Sequence, residues 1–191
     1  MRDIEYAVRG FLTVQTDFLR VPLHGTLVVH VDPRSGQFTG DLVLREVSVT
    51  RAVLGVGLFS AGLRIEATSP VTGEIDDDGR MVATATVDAV MTGVRAGGFP
   101  LIEGGSCRTA RAAVVPLRSQ PGFDLDRGGN VTGRYNRPPF TGAGRLTPLV
   151  NMLLAGYGNA IAIDLTPRAP SPGCRAASPG RCDAESSPAP A

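Results

Sequence analysis

The side chains best suited to proton transfer at neutral pH are two histidines, His24 and His30. They lie six residues apart with no cysteine nearby, whereas zinc sites use tighter and repeated ligand spacing. A hydrolase acting on lipid or wall polymers, with either histidine as base, would need a carboxylate and a Ser or Thr hydroxyl within hydrogen-bond reach. No Gly-x-Ser-x-Gly elbow supplies the nucleophile. The sequence therefore predicts no metal site and no catalytic residues, and a hydrolase remains the less favoured alternative.

Three consecutive carboxylates at 76–78 are the other group able to do chemistry, as ligands of Ca²⁺. The twelve-residue loop with a distal Glu that would support calcium binding is missing. Asp78-Gly79 is instead a dipeptide typical of hairpin turns, so these residues predict a turn. All 19 basic residues are Arg, and the lack of Lys excludes Schiff-base chemistry. No cofactor is expected.

Charge and hydropathy narrow the range of partners. A formal net charge of +1 argues against nucleic acid or an anionic membrane surface as the main partner. No apolar run approaches the roughly 18 residues of a transmembrane helix.

Composition divides the 191 residues into a domain and a tail. Residues 167–191 hold six of the 15 prolines and no Val, Leu, Ile, Met, Phe or Tyr, so they have little apolar surface to bury. We predict a β-rich globular domain at 1–166 and a disordered Pro/Ala/Ser-rich tail at 167–191. In the tail, Cys174 and Cys182 either form disulfides, with each other or with another chain, or are incidental, which we favour.

Alternation of apolar and polar residues predicts strands along most of the domain. One hairpin joins a strand with Leu27, Val29 and Val31 on one face, through a turn at 32–36, to a strand at 37–44. A second hairpin leads from a strand that starts with Leu63, Ile65 and Ala67 on one face and extends to Ile75, through the turn at 76–79, to a strand at 81–91. Further strands are predicted at 6–14, 109–117, 130–135 and 160–165. This pattern favours a mainly β fold, either an antiparallel β-barrel or a β-sandwich.

One short helix is predicted near the C-terminus. Thr147 is expected to be its N-cap, Pro148 its first residue and Gly156 its left-handed C-cap. The segment between them is apolar nearly all round, which predicts a buried helix that plugs one end of a barrel or covers one sheet.

Small residues on the strand at 81–91 allow two interpretations. Ala83, Ala85 and Ala89 either make room for the helix, which we favour, or leave an aliphatic cavity that suits a lipid chain. The candidate ligand-binding residues for such a cavity lie on the helix and are Leu149, Met152 and Leu153.

Several segments resemble a family of uncharacterised, secreted, β-rich proteins of actinobacteria such as mycobacteria and streptomycetes. The segments are GQFTGDL (36–42), FPLIEGGSCRT (99–109), GFD (122–124), GGNVTGRY (128–135), LTPLVN (146–151), GYGN (156–159) and IAIDLTP (161–167). The resemblance covers 21–167 and implies a β-rich fold and export from the cell, without an established activity.

The chain departs from that family at two places. Similar proteins often have a second cysteine before the Leu-Thr-Pro motif, but here the segment at 142–144 reads Gly-Ala-Gly, so Cys107 is expected to be a free thiol. The first six residues include Asp3 and Glu5, where a signal peptide would need an apolar core. We expect either an upstream start codon and export, or a cytoplasmic protein.

These observations together predict a non-catalytic secreted or cell-envelope domain that binds an apolar ligand such as a lipid. Another envelope protein is the other expected partner. The alternative to a lipid-binding domain is a structural interaction domain that offers an edge strand to a partner protein.

Overall fold

The computed structural model describes residues 1–14, 19–53, 57–100, 102, 107–154 and 156–168. This part of the chain forms thirteen strands, one 3-10 turn and one α-helix. They are β1 (Arg2–Val14), β2 (Leu19–Val31), β3 (Gln37–Leu44), β4 (Val47–Val53), β5 (Gly57–Ala67), β6 (Val71–Ile75), β7 (Met81–Ala96), β8 (Phe99–Pro100), β9 (Cys107–Thr109), β10 (Ala113–Ser119), β11 (Gly129–Arg137), β12 (Phe140–Thr141), the 3-10 turn (Gly144–Leu146), α1 (Thr147–Leu154) and β13 (Gly156–Pro167).

Eight strand positions close into an antiparallel barrel, so the barrel is the correct one of the two predicted architectures. The positions follow chain order around the ring: β1, β2, β3, then β5 with β6, then β7, β10, β11 and β13, which pairs again with β1. β5 and β6 share one position because both pair with β3 on one side and β7 on the other. The ring is therefore an up-and-down barrel.

Both predicted hairpin turns are confirmed, but the predicted strand from Leu63 to Ile75 is wrong, since β5 ends at Ala67 and β6 starts only at Val71. Pro70 lies in the break, and it lacks the backbone N–H that would continue the ladder. Thr26 of β2 faces Val43 of β3, and Ile75 of β6 faces Met81 of β7 across the turn at 76–79. The inward face of β2 is as expected, since Leu27, Val29 and Val31 are all buried.

The single strand predicted at 109–117 is wrong. The chain leaves the sheet after β9, where the N–H of Ala110 donates a hydrogen bond to the carbonyl of Pro139 at 2.8 Å instead of to a strand of the barrel. β10 then starts at Ala113 and pairs with a different part of β7. Two short strands therefore replace one long one.

The expected caps of the helix are also wrong. The 3-10 turn already winds into the helix, so Thr147 has helical dihedral angles (φ −50°, ψ −45°), and its hydroxyl donates to the carbonyl of Gly144 at 2.9 Å. Gly156 belongs to β13 and pairs with Arg137, while the left-handed glycine is Gly158 (φ +70°).

The two ends of the barrel differ in what covers them. We call one the turn end, since the turns at 32–36 and 76–79 and the loop at 120–128 lie there. We call the other the helix end, where β4, β9, β12 and α1 extend beyond the ring.

Candidate functional site: the barrel interior

The described residues enclose three cavities inside the barrel. The turn-end cavity (about 30 Å³) is lined by residues that include Tyr6, Phe38, Ala83, Phe123 and Leu125. The middle cavity (about 50 Å³) is lined by residues that include Leu12, Leu23, Ile65, Ala85 and Tyr135. The helix-end cavity (about 20 Å³) is lined by Val14, Val21, Val49, Phe59, Ala61, Leu63, Met91, Arg137 and Phe140. Each has room for only one or a few water molecules, and apolar walls of this kind leave a cavity dry.

The cavities are stacked along the strands. The turn-end and middle cavities share the walls Val8, Leu42, Leu117 and Ile163. From the middle cavity to the helix-end cavity, the lining moves to the next inward residue of the same strand, from Leu12 to Val14 and from Tyr135 to Arg137. The interior is thus one apolar column with small voids.

The small residues of β7 belong to this column. Ala83 and Ala85 are each 3% exposed and line the turn-end and middle cavities. The helix packs mainly against β12 and the 3-10 turn, at the opposite end of β7. The favoured interpretation, that these alanines make room for the helix, is therefore wrong.

An aromatic plug closes the turn end. Phe123 is 8% exposed, and its N–H donates to the carbonyl of Gly79 at 2.7 Å. Its ring lies 6.5 Å from that of Tyr6, whose hydroxyl donates to the carbonyl of Leu125 at 2.7 Å. Burial raises the pKa of Tyr6 to about 12, so the phenol remains a donor across the neutral range. An ion pair between Arg2 and Asp126 fixes the same loop from outside.

At the helix end, the hydrogen-bonded pairing of the described strands is interrupted between β2 and β4, although the two strands are in contact. The pairing of β2 with β3 ends at Gly25 and Leu44, and the last hydrogen bond joins the N–H of Arg45 to the carbonyl of His24 at 2.8 Å. Beyond that point, among the described strands, β2 pairs with β1 and β4 pairs with β5. We call this interruption the β2–β4 seam. It lies over the helix-end cavity, whose walls include Val21 of β2 and Val49 of β4.

A side-chain hydrogen bond crosses β5 beside the start of β4, which pairs with β5 along its whole length. The hydroxyl of Thr92 on β7 donates to the carboxylate of Glu46 at 3.0 Å, across the intervening strand β5. The residue between them is Gly62, where an added Cβ would lie 2.4 Å from the Glu46 carboxylate and 2.5 Å from the Thr92 hydroxyl. Only glycine leaves this crossing open, and the crossing holds the β3–β4 junction against β5.

The helix reaches the interior through Phe140. The backbone N–H of Phe140 donates to the side-chain oxygen of Asn151 at 2.6 Å, and the Asn151 amide donates to the Phe140 carbonyl at 3.1 Å. This two-bond clasp holds Phe140, which is 1% exposed, in the wall of the helix-end cavity. Val150 is also buried.

The candidate ligand-binding residues on the helix have different outcomes. Met152 is 67% exposed, so its expected burial is wrong, and it is absent from the walls of the three cavities. The side chains of Leu149 and Leu153 lie outside the described residues.

His30 has carboxylates beside both ring nitrogens. Its Nδ1 lies 2.8 Å from Asp3, and its Nε2 lies 3.9 Å from Asp41. The hydrogen bond with Asp3 raises the pKa of His30. Among the described residues, the hydrogen bonds of His30 include no Ser or Thr hydroxyl, and His24 is exposed without a carboxylate partner. Of the groups that a hydrolase would need beside a histidine base, the described residues thus supply the carboxylate and not the hydroxyl.

The carboxylates at 76–78 and the cysteines are the remaining candidates for chemistry. Asp76 accepts a hydrogen bond from the N–H of Arg80 at 2.7 Å within the predicted turn. In the described part of the chain, no cluster of three His, Cys, Asp or Glu side chains could hold a metal ion. Cys107 is a free, fully buried thiol, as expected, and burial raises its pKa. Cys174 and Cys182 lie outside the described residues.

Comparisons with protein-family models, with curated proteins and with solved structures find no match. Among the described residues, the chain has no helix with the length and apolar character needed to cross a bilayer.

Sequence reasoning missed Arg137. It is 7% exposed and, among the described residues, it is the only charged side chain that lines any of the three cavities. Its inward orientation follows the two-residue alternation that places Val131 and Tyr135 on the inner side of β11. Extending the predicted strand from 135 to 137 would have found it.

Proposed function

We propose that the protein is a non-catalytic binding barrel that takes an apolar chain, such as that of a lipid, into its interior. The observation that carries the proposal is the stack of three apolar-walled cavities between Phe123 and Phe140. Apolar surface beside a dry void lacks dispersion partners, so an apolar ligand gains contacts there that water does not supply.

The resting cavities are smaller than the few hundred Å³ that a bound organic ligand occupies. Binding therefore requires the column to widen. The β2–β4 seam is where widening costs least, because no hydrogen bonds between described strands need to break there. The aliphatic walls and the small side chains of Ala83 and Ala85 favour an unbranched chain over a ring system.

Isothermal titration calorimetry with dodecanol tests the proposal. Ala85→Leu would fill the middle cavity, whereas Ala162→Leu adds the same atoms on the exposed outer face of β13. We expect the parent and Ala162→Leu proteins to bind dodecanol, and Ala85→Leu to bind at least about tenfold more weakly. In the parent, NMR should show contacts from the probe to the methyl groups of Ala83 and Ala85. A parent protein that does not bind dodecanol, or binds it without those contacts, would contradict the proposal.

A secreted or cell-envelope location is part of the proposal, and it is supported by the resemblance to exported actinobacterial proteins. Fractionation of an actinobacterium that expresses the chromosomal gene into medium, envelope and cytoplasm tests it. Recovery in the cytoplasm alone would contradict it.

The second candidate is an interaction domain that accepts a partner strand at β4. β4 has seven residues, and Arg51 is its only charge. Its edge away from β5 pairs with no described strand, so that edge is long and nearly uncharged. Binding of this kind would protect the backbone amides of β4 from hydrogen exchange and leave the methyl groups of Ala83 and Ala85 unchanged.

A further inference from the structure

A ribbon of strands extends from the barrel at the helix end. β4 pairs with β5, the start of β5 pairs with the end of β7, and β7 turns back into β8. The turn between β7 and β8 is Gly97-Gly98, and both glycines have positive φ (57° and 87°). The N–H of Gly97 donates to the carbonyl of Leu58 at 2.8 Å, which joins this turn to the start of β5. We call residues 57–60 and 95–100 the ribbon tip.

The ribbon tip exposes large apolar side chains to solvent. Phe99 is 76% exposed and Leu58 is 56% exposed. Both belong to the same turn of the ribbon, since Phe99 pairs with Ala96 and the next residue, Gly97, is hydrogen-bonded to Leu58. A single exposed apolar residue is ordinary, but neighbouring ones at the extremity of a fold are typical of a surface that meets another apolar phase.

The charged residues at the two ends of the barrel differ in sign. The turn-end segments 32–36, 76–80 and 120–128 contain six Asp and three Arg. The helix-end segments 45–53, 57–62, 91–100, 107–112 and 138–154 contain one acidic residue, Glu46, and six arginines, which are Arg45, Arg51, Arg95, Arg108, Arg111 and Arg145. Adding Glu103, which lies outside the described residues, leaves the excess of Arg. The net charge of +1, which argued against an anionic membrane surface, is therefore an average over two ends of opposite sign.

We propose that the ribbon tip docks the protein on a bilayer that contains anionic lipids. Arg95, at the tip, and Arg45 and Arg145, in neighbouring helix-end segments, are exposed, so they are available to lipid phosphates. Aromatic and aliphatic side chains beside such charges enter the region between the head groups and the acyl chains. The acidic turn end is repelled by the same surface, which orients the barrel with its helix end toward the bilayer.

An acidic protein or a nucleic acid would also attract the arginines, but it gives no role to the exposed apolar pair Leu58 and Phe99. Docking does not depend on the proposed function, since vesicle binding and dodecanol binding are separate measurements. The two coincide in place, because the β2–β4 seam also lies at the helix end.

Vesicle flotation tests the role of charge and apolar surface together. We expect the protein to bind phosphatidylcholine vesicles that contain about 30% phosphatidylglycerol at least about tenfold more tightly than pure phosphatidylcholine vesicles, and to lose this binding at about 0.5 M NaCl. Phe99→Ala should weaken binding about tenfold, whereas Val114→Ala, which is 60% exposed on β10 in the parent, should bind like the parent. Arg95→Gln should weaken binding about fivefold, and Arg118→Gln, exposed on β10, should not.

A tryptophan reporter tests whether the ribbon tip enters the bilayer. The chain has no Trp, so Phe99→Trp and the matched Val114→Trp each carry a single indole. With the anionic vesicles, the emission of Phe99→Trp should shift to the blue and be quenched by lipids brominated on their acyl chains, and that of Val114→Trp should do neither.

Docking by the ribbon tip is overturned if the parent does not bind the anionic vesicles or binds both kinds equally. It is also overturned if Phe99→Ala and Arg95→Gln bind like their controls, or if neither indole shifts. A protein that binds dodecanol but not these vesicles would retain the proposed function and lose the docking surface, and the reverse result would retain the docking surface alone.

Discussion

At the turn end, the loop at 120–128 folds back over the barrel, where backbone hydrogen bonds, an aromatic pair and the Tyr6 hydroxyl fix it. At the helix end, the ring is interrupted at the β2–β4 seam, and the clasp between Asn151 and Phe140 holds the cover. The proposed function assigns stability to the turn end and ligand access to the helix end. Residues that seal the turn end should therefore matter more for unfolding, and residues of the clasp more for local opening.

The largest expected effect separates a buried aromatic from an exposed one. Phe123→Ala should lower the free energy of unfolding by about 3–5 kcal/mol, because it removes the turn-end plug and leaves a cavity. Phe99→Ala, at a side chain that is 76% exposed, is the matched control and should change stability by less than about 0.5 kcal/mol. Urea denaturation of both variants measures this. Similar losses in the two proteins would contradict the distinction.

A smaller effect is expected from opening the helix end. Asn151→Ala removes both hydrogen bonds to the backbone of Phe140 and should lower the free energy of unfolding by about 1–2 kcal/mol. Hydrogen exchange should show reduced protection of the Phe140 amide, with the Phe123 amide unchanged. Met152→Ala, the exposed neighbour on the same helix, should exchange like the parent. Loss of protection at both ends would show that the two ends are coupled.

The hydroxyl of Tyr6 gives the turn end a dependence on alkaline pH. Tyr6→Phe removes the hydrogen bond to Leu125 and should lower stability by about 1 kcal/mol at neutral pH. In the parent, the raised pKa of Tyr6, about 12 against an ordinary 10, means that ionisation favours the unfolded chain. Parent stability should hold below about pH 10 and decline as the pH rises through about 12. Denaturation midpoints over this range should fall less steeply in Tyr6→Phe, and equal slopes would sink the assignment.

The smallest effect concerns the outer surface at the turn end, where His30 lies between Asp3 and Asp41. Because the pKa of His30 is raised above its ordinary 6.5, its contribution to stability is present below that value and is lost as the pH rises through the folded value. His30→Gln should melt slightly below the parent at about pH 6 and close to it at about pH 8. His24→Gln, exposed on the same strand, should show no such difference. A His30→Gln deficit that grows toward alkaline pH would reverse the sign and refute the ion pairs.

Much of the barrel follows from local pattern. The two-residue alternation of Leu27, Val29 and Val31 fixed which side of β2 faces inward, and the turns at 32–36 and 76–79 fixed which neighbours pair. These features depend on residues close in the chain, where turn geometry leaves few alternatives. The short helix was recognised for a similar reason, although its caps were not, because the preceding 3-10 turn supplies the helical start.

The site depended on contacts between distant residues. The inward direction of Ala83 and Ala85 was readable from alternation, but the position of the helix was not, so their role as cavity walls was missed. Arg134 and Arg137 are three residues apart, so they lie on opposite faces of a strand that includes both. Only the extent of β11 to Arg137 shows that this arginine faces the interior.

By itself, the sequence determined an antiparallel β architecture, an aliphatic interior and the absence of lysine chemistry, since these follow from residue type and short-range spacing. The tertiary structure decided three further features. The sheet closes into a barrel, β4 pairs with β5 and, among the described strands, not with β2, and Arg137 lies beside an apolar cavity. The physical reason is that strand pairing joins residues far apart in the chain, as the hydrogen bond between Glu46 and Thr92 does. Which distant edges meet depends on the packing of the whole barrel, and no local pattern encodes it.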